Sequence, residues 1–181
     1  MLRIAIPTLE QSPAASKPLL DAVNKQLGVI PNLMKLIGNS PAALEGYLSL
    51  NGALAKGALS ISVRESIALT MAEFNGCLYC LSAHTYLGKN VAKLSDETMN
   101  SARAGRSSDT KTQAALKFAL RVASEQGRVS DTDVQMLRTA GFDDASIVEI
   151  VLNVALNVLT NYINNVARTT IDFQQVDAVT A

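Results

Sequence analysis

The sequence predicts an all-α domain of about eight helices. The composition of its 181 residues is rich in Ala, Leu, Val and Ile, with 4% aromatics and no Trp, as packed helices require. Ser, Thr or Asp recurs just before apolar-periodic stretches, and Gly recurs just after them. No segment alternates with period two between hairpin turns.

Residues 1–15 read as an irregular arm with a short extended piece at Arg3–Ile6. A domain over 16–171 follows, then a tail over 172–181 that is either loose or laid on a neighbouring subunit. Ser16 is expected to cap a first helix with Pro18 in its first turn, with Leu19, Leu20, Val23 and Leu27 as its apolar positions, ending at Gly28. Pro31 opens a short helical turn stopped by Gly38 and Asn39, and Ser40-Pro41 starts a helix that runs to about Lys56. Ser62-Val63-Arg64-Glu65 fits a capping box, and its helix, with Ile67, Met71 and Phe74 on one side, ends at Asn75-Gly76. The next helix contains both cysteines and runs to Gly88.

Helices capped by Ser95, Asp109 and Ser130 to Asp133 should end at Gly105, Gly127 and Gly141. The last helix, Asp144 to Arg168, carries Glu149, Asn153, Asn157, Asn161 and Asn165 at every fourth position. Asparagine is a poor helix former. The amides therefore either cap loops and bridge helices inside the core, or form a polar seam between subunits.

Lys plus Arg and Asp plus Glu are both 16, so no net field draws nucleic acid or an anionic membrane. The N-terminus lacks the features of a signal peptide. The apolar region Ile147 to Leu159 is too short to span a bilayer. A cytoplasmic protein is expected, and two cysteines at CxxC spacing there read as redox-active or metal-binding.

The chain's chemistry is concentrated between Ser62 and Gly88, which holds both cysteines and the single histidine. At about 100° per helical residue, Cys80 lies about −60° and His84 about −20° from Cys77, so the three share a face. The i,i+3 spacing brings the two Cα atoms to roughly 5 Å, within reach of a disulfide. A helix N-terminus and an imidazole both favour thiolate over thiol. Glu65 has two readings, helix cap and partner of this cluster. As zinc ligands, Cys77, Cys80 and His84 make three where a structural site wants four, with Glu65 left to complete the set.

The pattern Glu65–x11–Cys77–x2–Cys80–x3–His84 resembles the signature of the AhpD-like alkylhydroperoxidases in the carboxymuconolactone decarboxylase superfamily. The run CLYCLSAHTYLGKN is especially similar to the branch of peroxidase-related enzymes, and the likeness extends over roughly 20–175, NYINNVART included. It implies an all-helical AhpD-like fold in a homo-oligomer, trimer or hexamer. It also implies catalysis by Cys77, Cys80, His84 and Glu65, the thiols cycling between dithiol and disulfide while Glu65 and His84 relay protons. The substrate would be a small-molecule peroxide, either hydrogen peroxide or an organic hydroperoxide, and the reductant a dithiol such as a lipoylated protein, with no metal, haem or flavin.

One position departs from the pattern. Where AhpD has a second histidine before the second cysteine, this chain has Tyr79, about 200° from Cys77 and facing away from the thiols. His84 one turn beyond Cys80 favours Cys80 as the attacking sulfur, whereas the helix dipole favours Cys77. A lactone decarboxylase of the same superfamily, or a redox sensor that is oxidised once without turning over, are the competing readings.

Overall fold

The structure, a computed structural model, describes residues 2–178. Met1 of the N-terminal arm and residues 179–181 of the tail lie outside the described residues. Among the described residues there are nine α-helices and no strand: α1 Lys17–Leu27, α2 Asn32–Ile37, α3 Pro41–Leu54, α4 Ile61–Phe74, α5 Leu78–Asn90, α6 Asp96–Arg103, α7 Thr110–Ser124, α8 Asp131–Thr139 and α9 Asp144–Ala167. The extended piece expected near Arg3 forms no ladder. It is pinned instead by Arg3 N donating to Ala167 O at 2.8 Å and by Asn39 Nδ2 donating to Ala5 O at 2.9 Å.

α4 is the central element, packing against α5, α6, α7 and α9. It is buried nearly all round: Ser66 to Ala72 are all inside. Thr70 keeps this dry helix satisfied by donating to its own Ser66 O and to Ala102 O. The core around it is aliphatic, with Leu20, Leu44, Ile67, Leu69, Met71, Leu116, Leu137 and Ile150 fully buried.

Two capping expectations need correction. Ser16 does not cap α1; its hydroxyl donates to Gly38 O at 2.7 Å, and a 3-10 turn, Ala14–Ser16, leads into the helix. The N-cap of α4 is Ser60, not Ser62: its extended backbone lets Oγ accept from Val63 N at 3.3 Å. The choice is made from a distance. The Glu149 carboxylate on α9 accepts from Ala58 N at 2.8 Å and Leu59 N at 3.1 Å, which fixes the loop so that the helix begins at Ile61. A reciprocal capping box does exist, but in α8, between Ser130 and Asp133.

The α9 amides divide between tying α9 to the α4–α5 turn and bonding their own helix. Asn75 Nδ2 donates to Asn161 Oδ1 at 2.8 Å and Asn165 Nδ2 to Asn75 O at 2.9 Å, so α9 holds the turn between α4 and α5. Asn153 and Asn157 donate back to carbonyls one turn earlier in their own helix. At 24 residues α9 is long and apolar enough to cross a membrane by length and composition, contrary to the shorter stretch read from sequence. Here one face of it packs on α3, α4, α5, α7 and α8.

The chain after α9 lies along its own subunit. Asp172 Oδ2 accepts from Asn32 N at 2.7 Å, Phe173 packs against Tyr79 and Tyr86, Val176 N donates to Ser82 Oγ at 3.1 Å, and Asp177 O accepts from Arg103 Nη2 at 2.6 Å. Tyr79, Ser82 and Tyr86 follow one another at helical spacing, so the arm covers one side of α5.

Candidate active site

The turn Asn75-Gly76 reverses the chain so that α5 runs back along α4. Gly76 has φ +60°, which a residue with a Cβ adopts only at a cost. Beyond it Cys77 is extended and serves as the N-cap of α5, one position earlier than the first-turn placement expected. Its Sγ accepts from Cys80 N at 3.2 Å, taking up one of the free N–H groups of the helix start.

Cys77 and Cys80 form a disulfide with their Cα atoms 5.3 Å apart. Both are almost completely buried, 1% and 3% exposed. Cys80 Sγ has a further partner that the sequence reading missed: Asn164 Nδ2 donates to it at 3.3 Å from α9. The only trace of this in the sequence is that Asn164 falls outside the every-fourth-residue stripe.

His84 follows Cys80 by one turn, and its Nδ1 meets Glu65 Oε2 at 2.8 Å. Since α4 starts at Ile61, Glu65 lies in the second turn, where it caps nothing. The carboxylate holds Nδ1–H, and Nε2 is left as the nitrogen able to take or give a proton. The pair is more open than the sulfurs, with side chains 22% and 15% exposed, so it stands nearer to solvent than the disulfide.

Tyr47 on α3 joins this environment and was not singled out from the sequence. Burial, and then the nearby Glu65 carboxylate, push its phenol up to about 12, so it stays protonated at neutral pH. Tyr79 occupies the other side of α5. Its hydroxyl accepts from Leu33 N at 3.1 Å, and its ring meets Phe173 edge-on with centroids 5.7 Å apart. Burial raises its pKa far above the usual phenol range; the Leu33 N–H works against the rise and the Asp172 carboxylate adds to it.

The structure thus brings Cys77 to Cys80 and Glu65 to His84, on two adjacent helices. With both sulfurs in one disulfide, no three His, Cys, Asp or Glu side chains among the described residues are placed to hold a metal ion.

Residues 41–125 match the model of the carboxymuconolactone decarboxylase family. Among solved structures, the chain is similar to a peroxidase-related protein from Ralstonia eutropha with an alkylhydroperoxidase AhpD core. The TM-score is 0.84 at 24% identity, over 94% of this chain and 92% of that one. A peroxidase-related protein from a Silicibacter species gives 0.81 at 21% identity, over 93% and 91% of the two chains. The debrominase Bmp8 gives 0.74 at 18% identity, over 88% and 87%. At these identities the likeness is one of fold. No curated protein matches the chain.

Proposed function

We propose that the chain is a member of the AhpD and carboxymuconolactone decarboxylase superfamily and a thiol-dependent peroxidase working through the Cys77–Cys80 pair; the family match over residues 41–125 and the fold likeness to peroxidase-related proteins support this reading. The observation that carries this reading is the pairing of a disulfide across one turn of α5 with a Glu65–His84 contact of 2.8 Å, one turn further along the same helix. A two-electron reductant, which the reduced cysteine pair is, and a proton relay are what peroxide reduction needs.

In the reduced protein His84 Nε2 takes the proton of the Cys80 thiol. The thiolate attacks the outer oxygen of a hydroperoxide; the S–O bond forms and the O–O bond breaks. Sulfur loses two electrons and the peroxide gains them. The departing alkoxide, or hydroxide from hydrogen peroxide, takes the proton from His84. Cys77 then attacks the Cys80 sulfenic acid, the S–S bond forms and water leaves. A cellular dithiol, of which a lipoylated protein is one kind, restores the pair by exchange. The chemistry requires no metal or organic cofactor, and a reducing compartment such as the cytoplasm supplies the electrons.

Cys80 is assigned as the attacking sulfur because it stands one turn from His84 and accepts a hydrogen bond from an amide. Copies of the chain would associate through the exposed apolar stripe of α9, Val148, Val151, Leu152, Leu159, Tyr162 and Val166, which supports a homo-oligomer.

The test is steady-state consumption of cumene hydroperoxide with dihydrolipoamide as donor, with free thiols counted alongside. Multiple turnovers are expected, abolished by Cys77→Ser or Cys80→Ser and slowed about 10²–10⁴-fold by Glu65→Gln or His84→Ala. Normal turnover by either serine variant overturns the reading. A single loss of two thiols with no turnover would instead identify a redox sensor.

A further inference from the structure

Asn164 is 3% exposed, and its two polar atoms have unequal fates. Nδ2 donates to Cys80 Sγ at 3.3 Å. A disulfide sulfur has no proton to give, so the nitrogen is the atom that must face it. Oδ1 is buried with no partner among the described residues. Elsewhere on α9, Asn153 and Asn157 donate to their own helix, Asn165 donates to Asn75 O, and Asn161 accepts from Asn75 with its own Nδ2 left without a partner among the described residues. Asn164 alone reaches a sulfur. A buried acceptor left without a donor is unusual in a folded protein and calls for a task.

We propose that Asn164 is a catalytic residue of the dithiol centre, its Nδ2–H stabilising the Cys80 thiolate and its Oδ1 receiving the O–H of the hydroperoxide oxygen under attack. This rests on the peroxidase reading. A hydrogen bond to an ionised acceptor is about twice as strong as one to a neutral acceptor, so the same donor favours thiolate over both thiol and disulfide. Covalent geometry holds Oδ1 beside Nδ2, so an amide that touches the sulfur also offers an acceptor close to the oxygen the sulfur attacks. The proton it holds is the one that stays with that oxygen: the hydroperoxide O–H becomes the sulfenic acid O–H as S–O forms and O–O breaks. One amide then serves reactant and product without reorganising.

The titratable and charged groups on the helices around Cys80 are Glu45 and Tyr47 on α3, Arg64, Glu65 and Glu73 on α4, Tyr79, His84, Tyr86 and Lys89 on α5 with Cys77 at its cap, and Asp144, Glu149 and Tyr162 on α9. The α9 side chains that hydrogen-bond to Cys80 and to the turn before it are the neutral Asn161, Asn164 and Asn165. The pH at which Cys80 ionises can therefore be read against a fixed background when only position 164 is changed.

The experiment measures the pH dependence of iodoacetamide alkylation of Cys80 in a Cys77→Ser background, with and without Asn164→Leu, after circular dichroism has established the fold. The inflection should rise by at least one pH unit, a loss of tenfold or more in thiolate below it. In the protein with both cysteines, Asn164→Leu should make the disulfide about tenfold harder to reduce, about 30 mV more negative at alkaline pH. Where the leucine variant does not fold, isosteric Asn164→Asp takes its place; its carboxylate cannot donate and should raise the inflection further. At a pH above both inflections, oxidation of Cys80 by cumene hydroperoxide should still be at least tenfold slower in the variant, which reads the part played by Oδ1. An unchanged inflection and potential overturn the donor role, and an equal oxidation rate overturns the acceptor role. Alkylation and potential are read without peroxide, so the expected shifts on Asn164→Leu, beside a wild type that turns over no peroxide, refute the peroxidase reading and with it the acceptor role while leaving the donor role standing.

Discussion

Replacing Tyr79 with phenylalanine removes one oxygen from the side of α5 that faces away from the disulfide, and so separates a structural tyrosine from a member of the proton relay. The hydroxyl accepts from Leu33 N, a buried amide in the first turn of α2, at 3.1 Å. Without it that N–H has no acceptor, a cost of about 1–3 kcal/mol. The hydroxyl also interacts with Asp172, but this carboxylate is exposed and keeps its bond from Asn32 N, so its share is under about 1 kcal/mol. The ring retains its edge-on contact with Phe173, and no cavity opens. The sum is about 2 kcal/mol, which for a chain of this size lowers Tm by about 4–8 °C. Thermal unfolding by circular dichroism reads the first half of the prediction. Peroxide turnover well below both transitions reads the second, and it should equal that of the wild type. An unchanged Tm with turnover reduced tenfold or more would refute the reasoning and place the phenol in the relay.

Three further outcomes follow from other contacts. Glu149→Gln should lower the unfolding free energy by about 1–2 kcal/mol, read as a lower urea midpoint at constant m, because a neutral amide oxygen replaces the carboxylate that holds Ala58 N and Leu59 N; an unchanged midpoint would show that the loop does not depend on it. A Cβ at Gly76 meets no heavy atom within 4 Å, so Gly76→Ala should cost only the left-handed backbone penalty of about 1–2 kcal/mol in chemical unfolding, and a loss above about 4 kcal/mol would contradict this. Hydrogen bonds from Thr112 to Asp109, and from Ser146 to Asp143, hold these two helix-capping carboxyls below the usual range. A folded pKa below the unfolded one gives stability that is present above the unfolded value, near 4, and lost as pH falls through the lowered one. Asparagine caps without titrating. The double variant Asp109→Asn, Asp143→Asn should therefore show a shallower decline of Tm between about pH 5 and pH 2; an equally steep decline would mean that other carboxyls carry it.

What could be read in the sequence was what is local. The helical fold was legible because its signals sit at the ends of each element: Ser40, Ser95, Asp109 and Ser130 all cap helices, and Gly28 takes the left-handed turn after α1. Cys77, Cys80 and His84 were legible because three and seven residues along one helix fix their relative placement. What escaped was set by partners far along the chain. Ser60 and Ser62 are equivalent local candidates for a cap, and the decision belongs to Glu149, about ninety residues later. Asn164 is separated from Cys80 by 84 positions, inside a helix whose many asparagines hide it. The tail that covers α5 carried no periodicity from which a docking face could be drawn.

The shift of one helix start also bears on the chemistry. With Ser62 as N-cap, Glu65 would stand at N3 and reach back to the backbone, which would explain the carboxylate completely. With the helix starting at Ile61, the third residue after the cap is Val63, which has nothing to return. Glu65 is then one turn inside a helix whose inner residues are buried, and a half-buried carboxylate in that position needs a partner. His84 is that partner, at 2.8 Å. The loop anchored by Glu149 therefore does more than join α3 to α4: by choosing Ser60 it releases Glu65 from capping and presents it to the only histidine in the chain. A variant that moved the cap to Ser62 would draw the carboxylate back to the backbone and leave Nδ1 of His84 unpaired. Glu149→Gln is thus expected to lower turnover through the placement of Glu65 as well as to lower stability, and a lowered midpoint with wild-type turnover would show the two to be independent.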